Sequence, residues 1–466
     1  MSLFVESTSI PPPFHHQTIT TQKILNDKKV FIASDAGTGK TRAVLDAIAH
    51  RKATDPDAGN ALIIAPKSIL SAAWADDARK FTPALAVSIA YASNRASAFG
   101  RSADVYITNH DAATWLANHS DVLTRCNIDS IFIDESTAYK HANSNRSKAI
   151  KRLIKELDPE YVAAMSATPN INNPLDIWHQ VLLIDQGERL GNNFYKFRQA
   201  ICTPVPIGGT SHFSWEPKDD AHEAITDLID DITIRYRFQD CIDIPENSEH
   251  VIHYDLPPAL AKHYENLKQE ARLELENGET NAVNAAVLHS KLLQVAAGAV
   301  YADNKETMLI DGARYELAVE LIQQREKCLV AFQWHHQREQ LMAALEDAKL
   351  SYDIIDGSVS DKRRQKAVRD FNDGPLRVLL AHPQSAGHGL TLTSGTTTLW
   401  PSPISNAELF YQFNRRIYRA GQTQKTETLV IVGRGTIEEL THERCTKRVE
   451  DQETTLQLLQ RALNES

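Results

Sequence analysis

The segment Ser34-Asp35-Ala36-Gly37-Thr38-Gly39-Lys40-Thr41 constrains this chain more than any other. It follows the apolar run Val30–Ala33 and opens an amphipathic stretch from Lys40 to His50. A glycine-containing turn between a strand and a helix lets backbone N–H groups converge on phosphate oxygens at the helix N-terminus, where the helix dipole favours negative charge. The Lys40 ammonium adds a point charge, and the Thr41 hydroxyl is a hard oxygen suited to Mg2+. Ser34 stands where the simplest form of the pattern has glycine. Residues Asp35 to Thr41 are therefore expected to cradle the phosphates of a nucleotide.

Such a loop needs a carboxylate at the end of a neighbouring strand, and Ile131-Phe132-Ile133 runs directly into Asp134-Glu135. Asp134 is expected to hold hydrated Mg2+, and Glu135 to orient and deprotonate the attacking water, because phosphoryl transfer is mostly positioning and charge neutralisation. Further apolar runs at Ala61–Ala65, Val105–Thr108 and Tyr161–Met165 alternate with helical patterns, which reads as a parallel sheet covered by helices. From Trp178 to Ala299 the pattern turns helical, except for an extended, returning piece around Ile232 to Tyr254 that contains Pro245. Alternation resumes at Cys328–Phe332, Tyr352–Ile355, Arg377–Ala381, Thr396–Trp400 and Thr428–Val432. The fold class expected is α/β: two RecA-like lobes of parallel sheet flanked by helices, with helical insertions between them. The expected boundaries are residues 1–257 for the first lobe, with a helical insertion at about 178–230, and 258–305 for a helical protrusion. The second lobe is expected at 306–440, and a brace helix carrying Leu456, Leu459 and Leu463 at 441–466.

With 466 residues the chain exceeds what one hydrophobic core usually serves, in keeping with two lobes. A formal net charge of -10 excludes a protein that coats nucleic acid with its whole surface and confines any such contact to a local basic cleft. No apolar run approaches the length of a membrane span, and the start of the chain lacks a charged-then-apolar leader pattern, so the expected setting is the cytoplasm of a bacterium or phage-infected cell. Five scattered cysteines without a C-x-x-C pair point to neither a disulfide framework nor a zinc site.

The stretch Leu62-Ile63-Ile64-Ala65-Pro66-Lys67-Ser68-Ile69-Leu70, continuing to Trp74, resembles motif Ia of the Swi/Snf family of superfamily 2 DNA-dependent ATPases. The resemblance continues in order. Ile107-Thr108-Asn109-His110 looks like motif Ib, Asp134-Glu135-Ser136-Thr137 like motif II, and Ser166-Ala167-Thr168-Pro169 with Asn172, Asn173 and Trp178 like motif III. In the second half, Leu329–Trp334 resembles motif IV, and Asp356-Gly357-Ser358 with Arg363 and Phe371-Asn372 the block that follows it. Gly387-His388-Gly389-Leu390-Thr391-Leu392 resembles motif V, and Gln412 to Gln422 motif VI. These matches cover the chain from about Phe14 to Glu439. One departure is Ser136-Thr137 where the family often has alanine and histidine, so Thr137 cannot serve the histidine's interlobe role in the same way. The compact length resembles the short members of phages and bacteria and argues against chromatin remodelling.

The resemblance implies that Gln17 reads the adenine of ATP and that Arg416 and Arg419 reach the γ-phosphate, with Gly389 also at the nucleotide. It implies Ser166, Ala167, Thr168 and Gln412 in coupling. DNA, gripped through its phosphates, is the implied partner, with Lys67, Ser68, Thr108, Asn109, Gly387 and His388 as contacts. Trp74 and Trp334 are expected to pack into their lobes rather than stack on bases. A monomer translocating on duplex DNA is the expected actor. A strand-separating helicase on DNA or RNA, and a nucleotide-timed switch on a protein partner, are the alternatives.

Overall fold

Side chains alternate across a strand, so the continuous apolar runs of this sequence are satisfied only where both faces of a sheet are covered. The structure, a computed structural model, describes residues 10–167, 173–206, 213–241, 244–276, 282–301, 307–386 and 390–446. The chain divides between Asp243 and Ile244 into two units. The first holds β1 (Lys29–Ile32), β2 (Asn60–Ala65), β3 (Val87–Ala90), β4 (Val105–Asn109), β5 (Ile128–Asp134) and β6 (Tyr161–Met165). A hairpin of β7 (Cys202–Pro206) and β8 (Phe213–Pro217) follows, and β9 (Thr233–Ile234) completes the sheet. The seven strands run parallel in the order β3-β4-β2-β5-β6-β1-β9.

Alternation sorts the runs onto two layers. Val30, Ile32, Ile63 and Phe132 face Val44, Leu45 and Ile48 of the helix Lys40–Thr54, together with Trp74. Leu62, Ile64, Ile131 and Ile133 face Leu116, Ile150, Leu153 and Ile154 on the other side. Phe31 and Ala164 pack under Val181 and Leu182 of the helix Ile177–Asp185.

The second unit contains β10 (Asn247–Tyr254), a short hairpin of β11 (Ala299–Tyr301) and β12 (Thr307–Leu309), then β13 (Cys328–Ala331), β14 (Tyr352–Ile355), β15 (Val378–Ala381), β16 (Thr397–Trp400) and β17 (Thr426–Gly433). Its main sheet is again parallel, in the order β10-β17-β16-β13-β15-β14. The helices Pro258–Glu276 and Ala282–Ala296 belong to this unit, packing Leu260, Tyr264 and Leu292 against Ile437 and Leu440.

Three readings of the sequence change here. The extended piece at 232–254 is two strands, not one: β9 borders β1, whereas β10 lies at the edge of the second sheet, paired with β17 along its full length. The first unit thus ends ahead of the expected residue 257, and Pro245, which cannot donate to a ladder, falls between the two strands. The hairpin of β7 and β8 occupies part of a region read as helical, and β3, a short run interrupted by Ser88, adds an edge strand that the sequence reading did not include. The expected tail helix with Leu456, Leu459 and Leu463 lies outside the described residues beyond Thr446. Among the described residues no helix is long and apolar enough to cross a membrane.

Candidate functional site

The C-terminal ends of parallel strands are where an open α/β sheet leaves room for a ligand. β1 ends at Ile32, and the chain then curls through Ser34–Gly39 into the helix beginning at Lys40. Gly37 and Gly39 have φ of 87° and 80°, the left-handed region that a side chain disfavours. At Gly39 a Cβ would also lie 2.1 Å from the Gln17 amide nitrogen. That nitrogen donates to the Thr38 carbonyl at 3.2 Å, and His16 Nε2 meets the same carbonyl at 2.7 Å. Gln17 Oε1 in turn accepts the Phe14 N–H at 3.0 Å, so the start of the helix His15–Asp27 is fastened to the loop. Lys40 Nζ donates to the carbonyls of Ser34 (2.7 Å) and Asp35 (3.1 Å), which hold the ammonium within the curl. The far side of the loop is tied to the chain after β9. Asp35 N–H donates to Tyr236 O, the Asp35 carboxylate accepts the Phe238 N–H, and Ser34 Oγ accepts the Tyr236 N–H. Ala36 and Thr41 are half-buried beside these groups.

β6 lies between β1 and β5, and its register sets Met165 level with both Ile32 and Asp134. The phosphate loop, Ser166 and the acidic pair therefore emerge together at the C-terminal end of three adjacent strands. Ser166 N–H donates to Ile32 O at 3.1 Å, which ties the motif III strand directly to the base of the loop. Asp134 accepts the Glu135 N–H at 3.0 Å on Oδ1 and the indole N–H of Trp74 at 2.9 Å on Oδ2. Trp74 is 0 % exposed, in line with the expected packing, but its bond to Asp134 is new. A buried indole seeks an acceptor for its N–H, and β2 neighbours β5, so the signal was the adjacency of two motifs rather than either alone. Glu135 sits at φ 50°, a left-handed conformation that costs a residue with a side chain about 1–3 kcal/mol and recurs at functional sites. Ser136 Oγ donates to Gln180 Oε1 at 2.6 Å, coupling motif II to the helix after motif III. Ala167 is described; Thr168, Pro169 and Asn172 lie outside the described residues.

Of the candidate nucleic-acid contacts, Lys67 is exposed and Ser68 half-buried on a short turn, Lys67–Ile69, that follows β2. Thr108 corrects an expectation: it is 0 % exposed and its hydroxyl donates to Ala90 O at 2.8 Å, so it braces β4 against β3 instead of offering a donor at the surface. Asn109 is also buried and engages Arg95 and Asp111. Gly387, His388 and Gly389 lie outside the described residues.

In the second unit the helix Ala407–Asn414 carries Gln412, whose side-chain amide donates to Glu408 at 3.0 Å and whose main-chain carbonyl accepts Arg416 Nε at 2.8 Å. Arg419 donates to Leu390 O at 2.7 Å, and Leu392 N–H donates to Arg416 O at 2.9 Å. Motifs V and VI thus support each other through bonds to main-chain carbonyls. Trp334 is partly buried against the cluster of Leu260 and Leu292, again packing within its unit.

Among known proteins, the SNF2-related domain model matches residues 24–298, and the helicase conserved C-terminal domain model matches 313–421. Protein p41 of Acyrthosiphon pisum secondary endosymbiont phage 1 is 28% identical over 97% of this chain and 99% of its own length. YwqA of Bacillus subtilis (strain 168), named for the ATP-dependent helicase/translocases, is 25% identical over 88% of this chain, which spans 44% of that relative. The solved Sulfolobus solfataricus SWI2/SNF2 ATPase core in complex with dsDNA aligns with a TM-score of 0.45 and 20% identity, over 92% of this chain and 90% of that one. Because the SNF2-related model alone accounts for more than half of the residues, and its helicase C-terminal companion follows in order, the chain belongs to the SNF2-related family of ATP-hydrolysing, helicase-type enzymes.

Proposed function

We propose that this protein is a DNA-dependent ATPase that couples hydrolysis to movement along DNA, duplex DNA in particular. The observation that carries the reading is the gathering of the Lys40 loop, Ser166 and the Asp134-Glu135 pair at the C-terminal end of adjacent strands of the first sheet. Lys40 and the loop N–H groups are assigned to the phosphates, and Gln17, fastened to Thr38, to the adenine end. The Thr41 hydroxyl and the Asp134 carboxylate are hard oxygen donors that suit Mg2+, and the indole of Trp74 fixes the carboxylate's orientation. When bound, Mg2+ neutralises charge on the phosphate oxygens. Glu135 is assigned to orient and deprotonate the attacking water. Arg416 and Arg419 are assigned to stabilise charge on the transferring phosphoryl group, which makes turnover depend on both units. DNA phosphates are assigned to Lys67 and Ser68 in the first unit and to Gly387 and His388 in the second.

The test is ATP turnover with duplex DNA, single strands and RNA across a salt series, together with displacement of a triplex-forming strand from duplex DNA. Stimulation by duplex and ATP-dependent displacement support the proposal. Turnover indifferent to every nucleic acid overturns it and favours a switch acting on a protein partner.

A further inference from the structure

A second concavity lies in the first unit, apart from the phosphate loop. It has a volume of about 510 Å³ and is lined by the turn Lys140–Asn143, by Lys148 and Lys151, by the start of the helix Ile177–Asp185, and by Phe194 and Tyr195. That size falls within the range of small-ligand sites. Three features give it a chemistry.

The first is charge. Lys140 is paired with Asp176 at 2.9 Å, but Lys148 and Lys151 form no ion pair among the described residues, although the chain as a whole carries a formal charge of -10. Two exposed ammonium groups therefore face this pocket with little local compensation. The second is an aromatic wall. Phe194 meets Trp178 edge-on, with centroids 5.4 Å apart, and Tyr195 stands 64% exposed at the rim. Arg198 lies over the Tyr195 ring, 5.4 Å from its centroid, which leaves the other face for a partner. Such a large, exposed ring is free to stack on a flat partner. The third is a buried acceptor. His179 is 1% exposed, its Nδ1 bonds Tyr139 O at 2.6 Å, and its Nε2 has no partner. Burial, aided by the charge of Lys151, holds this imidazole neutral by lowering its pKa to about 4, so with Nδ1 donating to the carbonyl, Nε2 is an acceptor in want of a donor.

A ligand that offers a negative charge, a flat ring and an N–H donor matches all three features. From this we infer that the pocket receives an unpaired nucleotide of a DNA strand, its phosphate against Lys148 and Lys151 and its base against Tyr195 and Phe194. The inference rests on the reading of the chain as an enzyme acting on DNA. The position is apt, because Arg146, in the same helix as Lys148, pairs with Asp111 at 2.8 Å just after motif Ib. A paired base inside a duplex shows no free face, so the pocket selects single-stranded or melted segments, with little preference among bases.

The experiment is anisotropy titration of the full chain with a fluorescein-labelled oligothymidylate and with a blunt duplex of equal length. The variants are Tyr195→Ala, Tyr195→Phe and the double variant Lys148→Ala/Lys151→Ala, with duplex-stimulated ATPase measured on each. Loss of one stacked base or two phosphate contacts is expected to weaken single-strand binding roughly tenfold. Tyr195→Phe should stay within about twofold, since it keeps the stacking face. Duplex-stimulated turnover should hold steady in all three. Photocross-links from 5-iodouracil to Tyr195 or Trp178 would support the assignment. Unchanged single-strand affinity in both alanine variants overturns it, as does an acidic, tyrosine-containing peptide that binds more tightly than the oligonucleotide and loses that affinity in the variants. A wild-type protein whose ATPase ignores DNA sinks the broader reading, whereas normal duplex stimulation with indifferent variants sinks the pocket alone.

Discussion

Trp74 meets Asp134 across 60 positions of sequence, and the bond gives a buried side chain a second duty beside packing. Replacing Trp74 by Phe keeps most of the ring volume but removes a hydrogen-bond donor from a buried carboxylate. Urea unfolding should show a loss of about 1–3 kcal/mol. ATP turnover should fall by roughly tenfold, because a reoriented carboxylate misplaces the groups it holds. Lys40→Ala should abolish phosphate release outright. Glu135→Gln should still bind a fluorescent ATP analogue while its turnover drops by about 10²-fold or more, as befits a group needed at the transition state. Wild-type turnover in either variant would refute the assignment of the site.

At the scale of elements, buried polar groups do the joining. Arg314, 2 % exposed, forms a two-pronged bond with Glu438 at 2.7 and 2.9 Å and donates to Pro401 O, while Glu438 also accepts the Gly433 N–H. One ion pair thereby connects the helix Ala313–Gln323, the helix Ile437–Thr446 and the ends of β16 and β17. Arg314→Leu strands a carboxylate in the interior and should cost about 3–5 kcal/mol by calorimetry, most of it recovered when Glu438→Leu is added. Acid should loosen the same packing. Burial lowers the pKa of His179 and His289 to about 4 from an ordinary 6.5. Between those values the unfolded chain takes up protons that the folded chain refuses, so stability falls as pH drops from 6.5 towards 4. Each histidine contributes on the order of 3 kcal/mol across that window, read from urea midpoints at several pH values. His289→Gln, which keeps a polar group near Thr441, should make the dependence shallower; an identical slope would exclude His289 as a source.

For the molecule as a whole, a negative formal charge means that DNA is met through a small basic surface. A grip on about five phosphates loses on the order of 10²- to 10³-fold in affinity between roughly 50 and 200 mM salt. DNA-stimulated turnover at limiting DNA should fall accordingly, while turnover at saturating DNA stays level. A salt-insensitive DNA requirement would count against phosphate contacts as the source of stimulation.

Both parallel sheets were legible in the chain because strand runs and phosphate-loop punctuation are local patterns, each complete within a few residues. Val30–Ala33 followed by Gly37, Gly39 and Lys40 needs no distant partner to declare a strand, a turn and a helix. What a strand pairs with is a different kind of fact. The piece at 232–254 carries β-formers at its two ends, yet β9 found its neighbour in β1 and β10 in β17, a choice settled by which sheet edge the chain reached. Thr108 belongs to a motif that faces DNA in the family it resembles, but β3 beside it claimed its hydroxyl. The donor on Asp134 likewise came into view only once β2 and β5 lay side by side. Amino-acid order determined which residues form strands and which loop can hold phosphate, because those depend on short-range sterics and periodicity. Tertiary structure decided which polar atoms meet, because hydrogen bonds are short and directional and the groups they join are far apart along the chain.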